Sequence, residues 1–86
     1  MPRISKYYGV AIYMYYRDHA PPHFHAIYGD QEAVIGIANG KTLEGKLPNR
    51  ATKLVKTWAK LHRQELDDNW ERAQAGEPLQ QIDPLD

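Results

Sequence analysis

Pro21-Pro22-His23-Phe24-His25-Ala26-Ile27-Tyr28-Gly29-Asp30-Gln31-Glu32-Ala33-Val34-Ile35-Gly36-Ile37 is the stretch on which the fold turns. Its two prolines exclude helix and force an extended entry. His23 to Tyr28 and Gln31 to Ile37 are rich in β-branched and aromatic residues, as strands are. Gly29-Asp30 between them supplies the positive φ that a two-residue hairpin turn needs. A turn of that length sets the register. Tyr28 then faces Gln31, Ala26 faces Ala33 and Phe24 faces Ile35. On the opposite side Ile27 faces Glu32, His25 faces Val34 and His23 faces Gly36. Alternation puts His23 and His25 on one face, and Phe24 on the other, toward a core.

Toward the N-terminus, Val10 to Tyr16 reads as a strand. One face carries Val10, Ile12, Met14 and Tyr16, the other Ala11, Tyr13 and Tyr15. Arg17 to Pro22 is a loop. Toward the C-terminus, Asn39-Gly40 reads as a type I′ turn into a short strand near Lys41 to Glu44. Pro48 suits a first helical turn, and no Gly or Pro follows until Gly76. Ala51, Leu54, Val55, Trp58, Leu61, His62, Leu66, Trp70 and Ala73 recur at helical spacing. Gly76 ends the pattern and Pro78 prevents its resumption. One continuous helix would run roughly 40 Å at 1.5 Å per residue, longer than so small a domain is wide. It must bend near Arg63 to Asp68, or its acidic end must project toward a partner. The expectation is one α+β domain over residues 1–86. A four-stranded antiparallel meander (about 8–46) packs on a long C-terminal helix (about 48–75). Residues 76–86 form an irregular tail anchored by Leu79, Ile82 and Leu85. The face of the sheet that the helix covers is left open.

With 86 residues the core is small. The absence of cysteine removes disulfides, thiolate zinc sites and cysteine nucleophiles. No apolar run approaches a membrane span, and the first residues lack the apolar region of a signal peptide. These features point to a cytoplasmic protein with no membrane partner. Net charge is zero but segregated: ten Lys/Arg stand against four Asp/Glu up to Arg63, and one Arg against seven Asp/Glu beyond it. Such a split serves an anionic ligand at one end, pairing between copies in a homo-oligomer, or merely two solvated ends.

Two imidazoles on one strand face have two chemical uses. They chelate a divalent transition metal such as zinc through neutral ring nitrogens, or they act as a general acid and base. Glu32 shares their face and could orient an imidazole or complete a metal site, so His23, His25 and Glu32 are the candidate metal ligands. Gly36, opposite His23, would leave space for a ligand. For metal-free cleavage of RNA the catalytic candidates are His23 and His25 as base and acid, with His19 in support and Arg17 or Lys46 on the phosphate. Lys46, Arg50 and Lys53 open a basic stripe that continues through Lys56, Lys60 and Arg63 and could hold phosphates. His62 could join the other histidines if the sheet turned its histidine face to the helix. A lone His in such a stripe is more often a core residue. A His-Xaa-His pair by itself is a weak signal, and a basic stripe is more often a solvated face.

Several segments resemble a known family. They are Pro2-Arg3-Ile4-Ser5, Tyr8-Gly9, Asp18-His19-Ala20-Pro21-Pro22-His23-Phe24-His25-Ala26, and Leu43-Glu44-Gly45-Lys46-Leu47-Pro48. Trp58-Ala59-Lys60-Leu61-His62, Glu65-Leu66, Asn69-Trp70, Glu77-Pro78-Leu79 and Ile82-Asp83-Pro84-Leu85 complete the set. Together they resemble domain-of-unknown-function family 4160. The resemblance implies a short prokaryotic protein encoded beside a second small protein. That arrangement is similar to a type II toxin–antitoxin pair, with this chain as the toxin acting on RNA or translation and a cognate antitoxin-like protein as partner. No reaction follows from it. The alternative expectation is a non-enzymatic metal- or ligand-binding module, or a regulatory one, that works in complex with a partner protein.

Overall fold

The computed structural model describes residues 2–86. It is α+β, with five antiparallel strands in one sheet and two C-terminal helices. The strands are β1 (Arg3–Tyr7), β2 (Val10–Tyr13), β3 (His23–Tyr28), β4 (Gln31–Gly36) and β5 (Thr42–Gly45), in that order across the sheet. The helices are α1 (Asn49–Leu61) and α2 (Arg63–Ala75). The expected four-stranded meander therefore gains β1, and the expected single helix becomes two.

The β3–β4 hairpin has the expected register throughout, from Tyr28 opposite Gln31 to His23 opposite Gly36. Gly29 opens its turn at φ 63°. Elsewhere local geometry departs from expectation. The strand expected over Val10 to Tyr16 stops at Tyr13, where the chain leaves for the loop. Asn39-Gly40 does not form a two-residue turn: five residues separate Gly36 from Thr42, and the Gly40 N–H donates to the Gly36 carbonyl at 3.0 Å. Strand β1 pairs with β2 through a tight turn whose two residues, Tyr8 and Gly9, both have positive φ. Tyrosine is an unusual occupant of that conformation, so the turn announces itself poorly in the sequence.

The helices cover the Phe24 face of the sheet. Val10, Ile12, Phe24, Ala26, Ala33 and Ile35 pack with Ala51, Val55, Trp58 and Ala59 of α1 and with Leu66 and Ala73 of α2. Trp58 is fully buried, 5.3 Å from the Tyr7 ring and 5.9 Å from Phe24. Its Nε1–H donates to the Asp83 carbonyl at 2.8 Å, which satisfies the one polar group that so large a buried ring carries.

The helix breaks at His62, whose φ of −115° and ψ of 26° lie outside the α region. The fold is 33 Å in its longest dimension, too short for a straight helix of that length. Neither Gly nor Pro makes the break. His62 Nδ1–H instead donates to Glu65 Oε1 at 2.6 Å, and the apolar stripe keeps its phase across the break through Ala59, Leu66 and Ala73. The bend wraps one continuous stripe around a small core.

The tail beyond Gly76 is irregular but pinned. Fully buried Asn69 donates from Nδ2 to the Gln80 carbonyl at 2.8 Å and accepts from the Gln80 N–H at 3.0 Å. The Ile82 N–H donates to the Ile4 carbonyl at 2.8 Å, covering the outer edge of β1. Among the described residues, no helix is long and apolar enough to cross a membrane.

Candidate metal centre

The sheet face away from the core carries His23 and His25, as strand alternation requires. They meet different neighbours. His23, at the start of β3, is 2 % exposed, beneath the Trp70 ring at 5.2 Å. His25 is 14 % exposed, with the Tyr15 ring edge-on at 4.4 Å. The ring centroids of His23 and His25 are 5.3 Å apart.

The loop between β2 and β3 supplies the third group. It folds back over the end of β3 and is tied to the C-terminus of α2. The Arg17 N–H donates to the Ala73 carbonyl at 3.2 Å, and Gln74 Nε2 donates to the Asp18 carbonyl at 3.1 Å. The Ala20–Pro21 bond is cis. This path sets the Asp18 carboxylate over both imidazoles. Asp18 Oδ2 lies 2.9 Å from His23 Nε2 and 3.4 Å from His25 Nε2, while Oδ1 accepts the His19 N–H at 2.8 Å. Burial pushes the Asp18 carboxyl up. The His19 N–H and the two imidazoles outweigh it and hold the group below its ordinary value.

The far nitrogens are also occupied. His23 Nδ1–H donates to the Pro21 carbonyl at 2.7 Å, and His25 Nδ1–H donates to Glu32 Oε2 at 3.0 Å. With Nδ1 donating, Nε2 is the atom of each ring that could give its lone pair to a metal in place of its proton. One ring nitrogen of each imidazole and an Asp18 carboxylate oxygen lie within 4.8 Å of one another. Donors around one ion at about 2.1 Å, with angles between 90° and tetrahedral, stand about 3.0–3.4 Å apart. The spacings to Asp18 fall in or close to that range.

Each imidazole therefore lies between two oxygen partners, one at Nδ1 and the shared Asp18 carboxylate at Nε2.

Asp18 is the member of this cluster that the sequence reading did not name as a candidate. It lies five residues before His23 across two prolines, and nothing local says that the loop doubles back. Glu32 meets His25 at Nδ1, on the side of the ring away from Asp18. His19 is 79 % exposed, with its ring 5.3 Å from His23 and its Nε2 3.7 Å from Asp18 Oδ1. The Arg17 guanidinium lies against Gly76 at the end of α2, where the helix dipole favours a cation. Lys46, Arg50 and Lys53 are exposed and outside this cluster. His62 is also apart, packed on Trp58 at 5.6 Å. The space expected opposite His23 at Gly36 is taken by Asn39 and Leu43, which a Cβ there would touch.

A family model described as Domain of unknown function (DUF4160) matches residues 9–71, a span that includes the whole site. No curated protein and no solved structure matches the chain.

Proposed function

We propose that this chain, which belongs to domain-of-unknown-function family 4160, is a binding module for a divalent transition metal held by Asp18, His23 and His25. The observation that carries the reading is the convergence of one carboxylate and two Nε2 atoms, each imidazole oriented by a separate acceptor on Nδ1. Two nitrogens and one oxygen suit Zn²⁺ or Fe²⁺ better than Mg²⁺ or Ca²⁺. Three protein ligands leave a bound ion with a position for water or a ligand group, which it would polarise. Asp18 supplies charge neutralisation, Glu32 and the Pro21 carbonyl hold the rings in register, and Trp70 keeps water from the His23 side.

Metal analysis of untagged protein tests this directly. About one equivalent of Zn, Fe or Ni is expected in the native chain, and less than a tenth in His23→Ala/His25→Ala. Native protein that carries less than a tenth of an equivalent and takes up no added ion would end the proposal.

Acid–base cleavage of RNA draws less from this geometry. A base needs a free nitrogen within reach of substrate, whereas His23 is buried with both nitrogens engaged, and Arg17 is turned to α2. The toxin role and the antitoxin-like partner rest on the resemblance alone. Growth after induced expression, with and without the neighbouring gene, tests them. Arrest relieved both by the neighbour and by His23→Ala/His25→Ala would tie that activity to the metal site.

A further inference from the structure

The basic stripe of α1 divides. Arg50 lines a groove of about 480 Å³ with Tyr8, Tyr28 and Asp86. Lys46 and Lys53 do not line that groove. Lys56, Lys60 and Arg63 converge on a separate cavity of about 290 Å³, between the helix and the turn Ile37–Gly40.

Three features of this cavity point to an anion. First, its lining holds three cations and no carboxylate. Lys56 and Lys60 are one helical turn apart, where like charges repel. Among the described residues, none of the three cations is in an ion pair, since every pair is made by a histidine. Second, the turn offers backbone donors. The Ile37 and Gly40 N–H groups are used by the Pro22 and Gly36 carbonyls and the Lys41 N–H by Asn39 Oδ1, whereas those of Ala38 and Asn39 have no partner among the described residues. Third, Ile37 and Ala59 make an apolar floor, which would raise the strength of a charged contact above it.

We propose that this cavity binds the phosphate group of a small phosphomonoester, with Lys56, Lys60 and Arg63 neutralising its charge and the Ala38–Asn39 backbone donating to its oxygens. A phosphomonoester carries about −1.5 to −2 near neutrality, which three converging cations suffice to neutralise. The volume lies near the lower end of small-ligand sites. A nucleic-acid strand would need cations in a track, but Lys46, Arg50 and Lys53 do not continue into this cavity. The site is independent of the metal centre and stands or falls without it.

The test is a chemical-shift titration of the full chain with inorganic phosphate, adenosine monophosphate, adenosine and a ten-residue uridine RNA. Saturable shifts confined to Ile37–Gly40 and Lys56–Arg63 are expected with phosphate and with the monophosphate, and none with adenosine. Lys56→Gln/Lys60→Gln/Arg63→Gln, all at exposed positions, should weaken binding at least tenfold with an unchanged circular dichroism spectrum. Lys6→Gln on β1 should leave the affinity as it was. Shifts that grow without saturation, shifts spread over all the lysines, or unchanged affinity in the triple variant would overturn the proposal. So would RNA that saturates below the monophosphate with shifts running along Arg50 and Lys53.

Discussion

Replacing Asp18 by Asn keeps the size of the side chain and removes its charge, so it separates a metal site from a hydrogen-bonded cluster. In the metal-free chain Asp18 Oδ2 accepts from His23 at 2.9 Å and more weakly from His25 at 3.4 Å. Hydrogen bonds to charged groups contribute about 1.5–3 kcal/mol, and the longer one belongs at or below that range. Asn can still accept the His19 N–H through Oδ1. The expected loss is about 2–4 kcal/mol, or a fall in Tm of about 8–32 °C for a domain of this size. Zinc then distinguishes the two readings. At about a hundredfold excess over Kd, a bound ion stabilises the native chain by about 2.7 kcal/mol, a shift of some 10–20 °C. Asp18→Asn should lose this rise at the same zinc concentration. Glu32→Gln, which only loosens His25, should weaken zinc by about 10–100-fold and keep a smaller rise. Differential scanning calorimetry at several zinc concentrations measures all three. Zinc that leaves the native Tm unchanged, or that raises native and Asp18→Asn alike, would refute the reasoning.

The pH dependence follows from the depressed Asp18 carboxyl. A group whose folded value lies below its unfolded one stabilises fully above the unfolded value, and that stability is lost as pH falls through the folded value. In metal-free urea denaturation, the gap between native and Asp18→Asn should hold above the ordinary value of 3.8 and shrink below it; a gap that persists unchanged there would deny Asp18 the role of ionised acceptor. His19→Ala should change stability by less than about 0.5 kcal/mol, because its exposed ring meets Asp18 only at 3.7 Å and the variant keeps the backbone N–H that holds the carboxylate. Zinc affinity should move less in this variant than in Glu32→Gln, and a larger loss would make His19 a fourth ligand. Asn69→Ala removes two hydrogen bonds to Gln80 and one from Arg72 and leaves the Gln80 N–H and carbonyl without this partner. It should cost about 2–4 kcal/mol in urea denaturation and speed proteolysis of the tail; a loss under about 1 kcal/mol would mean that water replaces the clamp.

Much of the fold can be read in the residues because its decisive contacts are local. The β3–β4 register follows from a two-residue turn and the alternation of its strands, so the pairing of His25 with Val34 and the common face of His23 and His25 came with it. The helical stripe and its end at Gly76 follow from periodicity and from a glycine suited to the left-handed conformation, which Gly76 adopts at φ 75°. β1 was less legible. Its turn places a tyrosine at positive φ, and its outer edge is completed by Ile82, seventy-eight residues after Ile4 in the chain.

The site divides along the same line. Residue order and strand geometry alone bring two imidazoles to one face, because neighbours two apart on a strand cannot avoid each other. The carboxylate that joins them depends on the path of a loop, and that path is held by Ala73 and Gln74 at the far end of the chain. So does the burial of His23, which comes from Trp70 on α2. The break at His62 likewise reflects the width of the core that the stripe must follow. Local stereochemistry determines the hairpin and the helical periodicity. The cluster of Asp18 with His23 and His25 requires the packing of α2 against the β2–β3 loop, since only contacts between distant segments can hold that loop over a strand.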